Sequence, residues 1–218
     1  MSGSSFDDKV QKLIDDWVLQ CIMGDIEQFL KHPKRGNYPV AALLFSVIDL
    51  MGGLLNGNVD ANHTCNMETF IRQYLSQMNS KYSDLASLLV DMFRHPITHT
   101  TTSRSYALNG YTLRSGIYWE EDVSHRVQLL QQRKCHLVKA QYRGQDYLLV
   151  NDHVLFADLK SAIQQYREDL TGGKVQAIRC CFEKAYDAMT KVKSGKRFDS
   201  EIRLVQSWPY TQDKCFGP

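Results

Sequence analysis

Four times between residues 10 and 93 the chain repeats its apolar side chains at intervals of three and four, the spacing of helices that bury one face. Val10, Leu13, Ile14, Trp17, Val18, Cys21 and Ile22 form the first stripe. The second segment, Val40 to Leu55, is apolar nearly all round, so neighbours are expected on every side. Phe70, Ile71, Tyr74, Leu75 and Met78 make the third stripe, and Leu85, Leu88, Leu89, Met92 and Phe93 the fourth. Such a chain has to pack helix on helix, and the expected fold is mainly α, an antiparallel helical bundle. The punctuation agrees. Ser5 and Asp8 have the spacing of a capping box with Asp in place of Glu, and Pro39 suits the first turn of its helix. Residues 56–66 read as a polar loop in which Asp, Asn and Gly dominate, and Ser83 as the cap of the fourth helix. Pro96 disfavours helix at His95, so that helix should end near Arg94.

Beyond residue 104 the pattern changes. Residues 106–119 are rich in aromatic and small residues, and 136–150 read as two short strands joined at Arg143-Gly144-Gln145. A small hairpin or sheet within about 104–150 is therefore expected, inserted into or packed on a single domain spanning 1–218. The tyrosines at 106, 111, 118, 142 and 147 read as that sheet's core rather than as base-stacking platforms. Asn151 or Asp152 can cap a helix over 154–170 that Gly172-Gly173 breaks, and one more helical stripe runs from Val175 to Val192. The tail around 202–208 reads as a short strand.

With 218 residues the chain is long enough to bury about 70% of its unfolded surface without disulfides or metal. Its six cysteines include no CxxC pair, and Met1–Ser5 lead directly into an acidic amphipathic segment. The expectation is a cytoplasmic protein with reduced, mostly buried thiols. The interrupted apolar run at 40–55 is shorter than the roughly 20 residues a bilayer crossing needs, so it reads as a core helix and no membrane partner is expected. A net charge of +2 argues against bulk electrostatic binding to nucleic acid as the main activity.

Phosphate loops of the GxGxxG or GxxxxGK[ST] kind are missing, as are the GxSxG elbow and HExxH. His63 and Cys65 could supply two metal ligands, but nothing nearby in sequence completes a set of four. One segment stands out, Leu89-Val90-Asp91-Met92-Phe93-Arg94-His95-Pro96-Ile97-Thr98-His99. An apolar helix delivers Arg94 at its end, the polar His95 follows, and His99 comes after four intervening residues. In this chain no other arginine has a histidine at that spacing.

This segment resembles the R-x4–6-H motif of the HEPN superfamily, in particular the "fRnglvH" phrase of its uncharacterised bacterial branch. In those chains an apolar helix with a Gly-Gly end precedes the motif, as Ile48 to Leu54 does here, and a helix opening "iN-x-x-x-L-x-x-D" follows, as at Val150 to Asp158. The likeness runs over about residues 10–190 and is sharp only at 88–100; Pro96 departs from the glycine or asparagine commoner there. It implies a HEPN-like bundle and a metal-independent endoribonuclease that works as a homodimer on RNA and needs no cofactor. It also implies a toxin–antitoxin or phage-defence setting with a cognate antitoxin or regulator. Arg94 and His99 would then be catalytic, with Asp91, His95 and Thr98 supporting them.

RNA carries its own nucleophile, the 2′-hydroxyl, so an enzyme needs to move protons and stabilise charge on phosphorus. Histidine suits the first task and arginine the second. Asp91, one turn before Arg94, is placed to orient the guanidinium, and Lys191, Lys193, Lys196 and Arg197 form a cluster that could hold RNA. Plainer readings stand beside these. Arg94 and His99 also suit a helix C-terminus, where cations favour the dipole, and the lysines suit a solvated helix end. The alternative function is a non-catalytic HEPN-like module that binds a nucleotide or a protein.

Overall fold

The fold was obtained as a computed structural model, which describes residues 5–31, 37–94, 104–118, 136–173, 176–191 and 199–207. Among them are seven helices and four strands. Helix α1 covers residues 6–31 and opens on the expected capping box: Asp8 N–H donates to Ser5 Oγ at 3.1 Å and Ser5 N–H to Asp8 Oδ2 at 3.0 Å. Its middle, Gln11–Ile22, is wound as a π-helix, with Met23 N–H bonding the carbonyl of Val18. The wider turn moves the buried stripe to Val10, Leu13, Ile14, Val18, Met23, Ile26 and Leu30. Trp17 and Cys21, counted in the sequence stripe, are consequently exposed. Asp15, which also falls off the apolar stripe, is no free surface acid. It takes a two-pronged bond from Arg167, Nε to Oδ1 at 2.5 Å and Nη2 to Oδ2 at 2.8 Å.

Helix α2, Asn37–Asn56, is the centre of the bundle. It packs against α1, against α3 (residues 63–78) and α4 (81–94), and against α5 (Asp152–Thr171), α6 (Gln176–Thr190) and strand β2 (Tyr111–Tyr118). That is the surrounding its all-round apolarity predicts. By length and composition α2 could cross a membrane, and 61% of its Pro39–Asn56 window is buried inside the protein. Helix α3 begins at His63, so the polar loop is shorter than the sequence suggests. Helix α4 begins at Lys81; Ser83 lies inside it, and Asn79 Oδ1 receives the Lys81 N–H instead.

Strand β1 (Ser105–Leu108) pairs antiparallel with β2, and β3 (Val138–Tyr142) antiparallel with β4 (Gln145–Asn151). Both hairpins turn through two residues of positive φ, Asn109-Gly110 and Arg143-Gly144, the geometry that matches strand twist. The hairpins join through a parallel β2–β4 pairing into one mixed sheet of order β1-β2-β4-β3. Leu148 and Val150 bring it into the helical core, whereas Tyr106, Tyr111 and Tyr142 are exposed and Tyr147 is half-buried, so these four do not form the sheet's core. A buried polar junction locks sheet to helices. Asn151 N–H donates to His136 Nδ1 at 3.1 Å, so the ring's hydrogen sits on Nε2, 2.8 Å from Tyr82 Oη. Tyr82 in turn donates to Asp158 Oδ2 at 3.2 Å. Asn151 caps α5 through Val154 N–H, as expected.

The tail departs from its expectation. Residues Asp199–Gln206 form helix α7, not a strand, and its Ile202, Leu204 and Val205 are exposed. Arg203 in its last turn favours the helix dipole. The thiols also depart: Cys21, Cys65 and Cys180 are exposed and Cys181 is half-buried.

Candidate functional site

Arg94 ends α4, and packing one residue earlier decides where it lands. Phe93 stacks on Phe45 of α2, ring centroids 5.6 Å apart and planes 6° from parallel. Asp49 follows Phe45 by one helical turn, which brings its carboxylate to the guanidinium, with Arg94 Nη2 3.2 Å from Oδ2. In the whole of α2 Asp49 is the one charged residue. Its side chain is only 20% exposed, so it needs partners.

The second partner is His63, the first residue of α3, whose Nδ1 lies 3.1 Å from Oδ1 and 3.0 Å from Oδ2 of Asp49. The local fold delivers it in three steps. Gly57 adopts φ +68° and Asn58 N–H bonds back to Gly53 at 2.9 Å, ending α2 in a Schellman turn. Asn62, in the left-handed region at φ 59°, then starts α3. Finally α3 lies so close on α2 that a Cβ on Gly52 would stand 2.1 Å from the carbonyl oxygen of Asn66. The buried Asn66 amide fixes the loop from within, donating to Asn58 O at 2.7 Å and Ala61 O at 3.0 Å and accepting from Asn56 Nδ2 at 2.9 Å.

Two adjoining cavities open beside these groups. One, about 390 Å³, is lined by Ser46, Asp49, Val59, His63 and Arg94; the other, about 540 Å³, by Asn62, Cys65 and Glu68 with the same His63 and Arg94. His63 is the most accessible of the three, its side chain 40% exposed. Glu68 is met by Arg72 at 3.8 Å. Among the described residues no three His, Cys, Asp or Glu side chains gather as a metal site would require. What the arrangement offers is an arginine and a carboxylate-held histidine facing one open cleft.

Of the residues singled out in the sequence, Arg94 is in this cleft. Asp91 pairs with Arg104 at 3.1 Å, while Asp49 receives Arg94. The backbone of Arg104 returns to the same end of α4, its N–H 3.5 Å from the carbonyl of Met92. Lys191 is exposed just past α6 and lines neither cavity. His95, Thr98, His99, Lys193, Lys196 and Arg197 lie outside the described residues. Sequence reading passed over Asp49, and took His63 only as a metal ligand. The available signal was a lone carboxylate in an apolar helix, which has to be paired. Comparison with models of protein families, with curated proteins and with solved structures gives no match for this chain.

Proposed function

We propose that this protein is a metal-independent endoribonuclease of HEPN type. Arg94 would take the phosphate charge, and His99 would draw the proton from the attacking 2′-hydroxyl. The supporting observation is the setting of Arg94. It sits at the end of an apolar helix, anchored by Asp49, on the wall of an open cleft that it shares with a histidine. A guanidinium held this way presents a planar fork to non-bridging phosphate oxygens. His99 stands five residues from Arg94 and five from Arg104, and both of these flank the same end of α4. No metal step is invoked, because RNA supplies the nucleophile. A homodimer with its two-fold axis near residues 94–99 would bring two motif sets to one RNA. A toxin–antitoxin or phage-defence role, with a regulator holding the nuclease in check, follows from the motif resemblance alone.

The Arg94–Asp49 ion pair also suits the second reading, a non-catalytic module, since it ties α4 to α2. Incubation of the purified protein with total RNA in EDTA separates the two. The nuclease reading expects wild-type fragments ending in 2′,3′-cyclic phosphate and intact RNA with His99→Ala. RNA left whole by the wild type, or cut equally by the variant, would refute it. Light scattering at high micromolar concentration should show a dimer.

A further inference from the structure

We infer that His63 is a second proton-transfer residue of this site, the general acid that protonates the leaving 5′-oxygen of the cleaved phosphodiester, with Asp49 as its positioning residue. The inference rests on the ribonuclease reading above and adds the group which that reading lacks. In-line cleavage needs two proton transfers. The 2′-hydroxyl loses its proton as the 2′-oxygen–phosphorus bond forms, and the 5′-oxygen must gain one as its bond to phosphorus breaks. The products are a 2′,3′-cyclic phosphate and a free 5′-hydroxyl, so atoms and charge balance when His63 gives up one proton and the base takes one. Each motif offers one histidine for the two transfers, and a second histidine beside Arg94 in the same chain lets acid and base be separate groups.

Geometry singles out His63 for the acid. An ionised carboxylate only accepts hydrogen bonds, so Nδ1, at 3.0 Å from Asp49 Oδ2, carries a hydrogen and Nε2 is the nitrogen left to exchange protons. His63 and Arg94 reach the same atom, Asp49 Oδ2, at 3.0 and 3.2 Å. With both side chains on the walls of the same cavities, a phosphate gripped by the guanidinium can bring its ester oxygen to the imidazole. Both residues line both cavities, and the ring's exposure lets solvent reload it. Among the described residues the charged and titratable groups around it are Asp49 from α2, Arg94 from α4, and Cys65 and Glu68 from its own helix. A structural staple between α3 and α2 would use the same Nδ1 bond. It would leave the chemistry of the leaving group indifferent to His63, and this difference is measurable.

The test compares wild type, His63→Gln and His99→Ala on a short RNA in EDTA, with an ordinary linkage and with a bridging 5′-phosphorothiolate, whose thiolate leaves without protonation. His63→Gln should slow the ordinary linkage by about 10²–10⁴-fold and come within about tenfold of wild type on the phosphorothiolate. Its pH–rate profile should also lose the fall on the alkaline side that a required acid imposes. Equal slowing on both linkages by a variant that melts like wild type, or no slowing at all, would overturn the role of His63 and leave the ribonuclease reading standing. If the glutamine variant does not fold, His63→Phe keeps the ring volume and serves in its place. No cleavage of either substrate by wild type would overturn both.

Discussion

Replacing Gly52 by alanine tests whether the close approach of α3 to α2 builds the cleft. The new methyl would lie 2.1 Å from Asn66 O and 2.3 Å from Asn66 C, where ordinary contact begins near 3.4 Å. Both atoms are backbone, so no side-chain rotation relieves the clash, and α3 must retreat by more than 1 Å at that point. Overpacking of this kind costs about 1–3 kcal/mol. The retreat also strains the three hydrogen bonds of the Asn66 amide, each worth about 1 kcal/mol. Alanine returns about 1 kcal/mol through its better helix propensity. The balance is a loss of about 3 kcal/mol, and for a chain of this size a fall in Tm of roughly 6–12 °C. Gly24→Ala is the matched control. Its Cβ would meet nothing within 4 Å, so the same exchange in a helix should raise Tm by about 2–4 °C. Thermal melts followed by circular dichroism, with urea titrations alongside, measure both. RNA cleavage by Gly52→Ala should fall as well, because His63 rides on α3. A Gly52→Ala protein that melts with or above wild type would refute the argument.

Other outcomes follow from the same structure. Tyr166→Phe should stabilise the protein by about 1 kcal/mol in urea titrations, since Tyr166 Oη is buried with no hydrogen-bond partner among the described residues. Burial and the Asp169 carboxylate raise the Tyr74 phenol above its ordinary range, and burial raises Tyr166 too. A folded-state value above the unfolded one gives stability that is complete below about pH 10 and lost as pH rises beyond it. Absorbance at alkaline pH should accordingly show two tyrosines ionising only with unfolding, and one fewer in Tyr74→Phe. Arg94→Lys should lose most RNA cleavage while keeping its charge, because an ammonium has no planar fork; undiminished turnover would count against Arg94 as the phosphate ligand.

The helices were legible because burying one helical face leaves a local pattern, and so were the ends set by Ser5, Asn151 and Arg143-Gly144. Asn109-Gly110 carries a hairpin signal of the same kind, and it turns β1 into β2. The π winding of α1 escaped because a stripe counted at 3.6 residues per turn cannot announce a change of pitch. The tail misled for a related reason: Ile202, Leu204 and Val205 fit a strand or a short helix, and no core contact decides between them. The β2–β4 pairing joins segments over thirty residues apart, and parallel pairing leaves no turn in the sequence to mark it. Half of the site was legible for the same cause. Arg94 could be read from its place at the end of a helix. Its partner lies 45 residues earlier, and His63 meets that partner from 14 residues further on, across the last turns of α2 and the loop after it.

Asp49 itself argues that this cleft was not built for stability. A lone carboxylate in an apolar helix, 20% exposed, loses most of its hydration, and ion pairs of this kind are weak stabilisers compared with well-packed apolar residues. Elsewhere the bundle shows what it does when packing is the aim: Leu44, Ile48, Met51 and Leu54 on the same helix are all fully buried. Position 49 could have been filled likewise, closing the groove between α2, α3 and α4. Instead one carboxylate orders a guanidinium and an imidazole at the mouth of an open cavity. The backbone is shaped to allow it, through two glycines at the end of α2, a left-handed Asn62 and the buried Asn66 amide. Several departures from ideal helix packing thus serve a single result, the placing of Arg94 and His63 on the two sides of Asp49. The nuclease reading proposed above would give all of them one purpose, whereas a purely structural role would use the ties between helices and leave the open cavity without one.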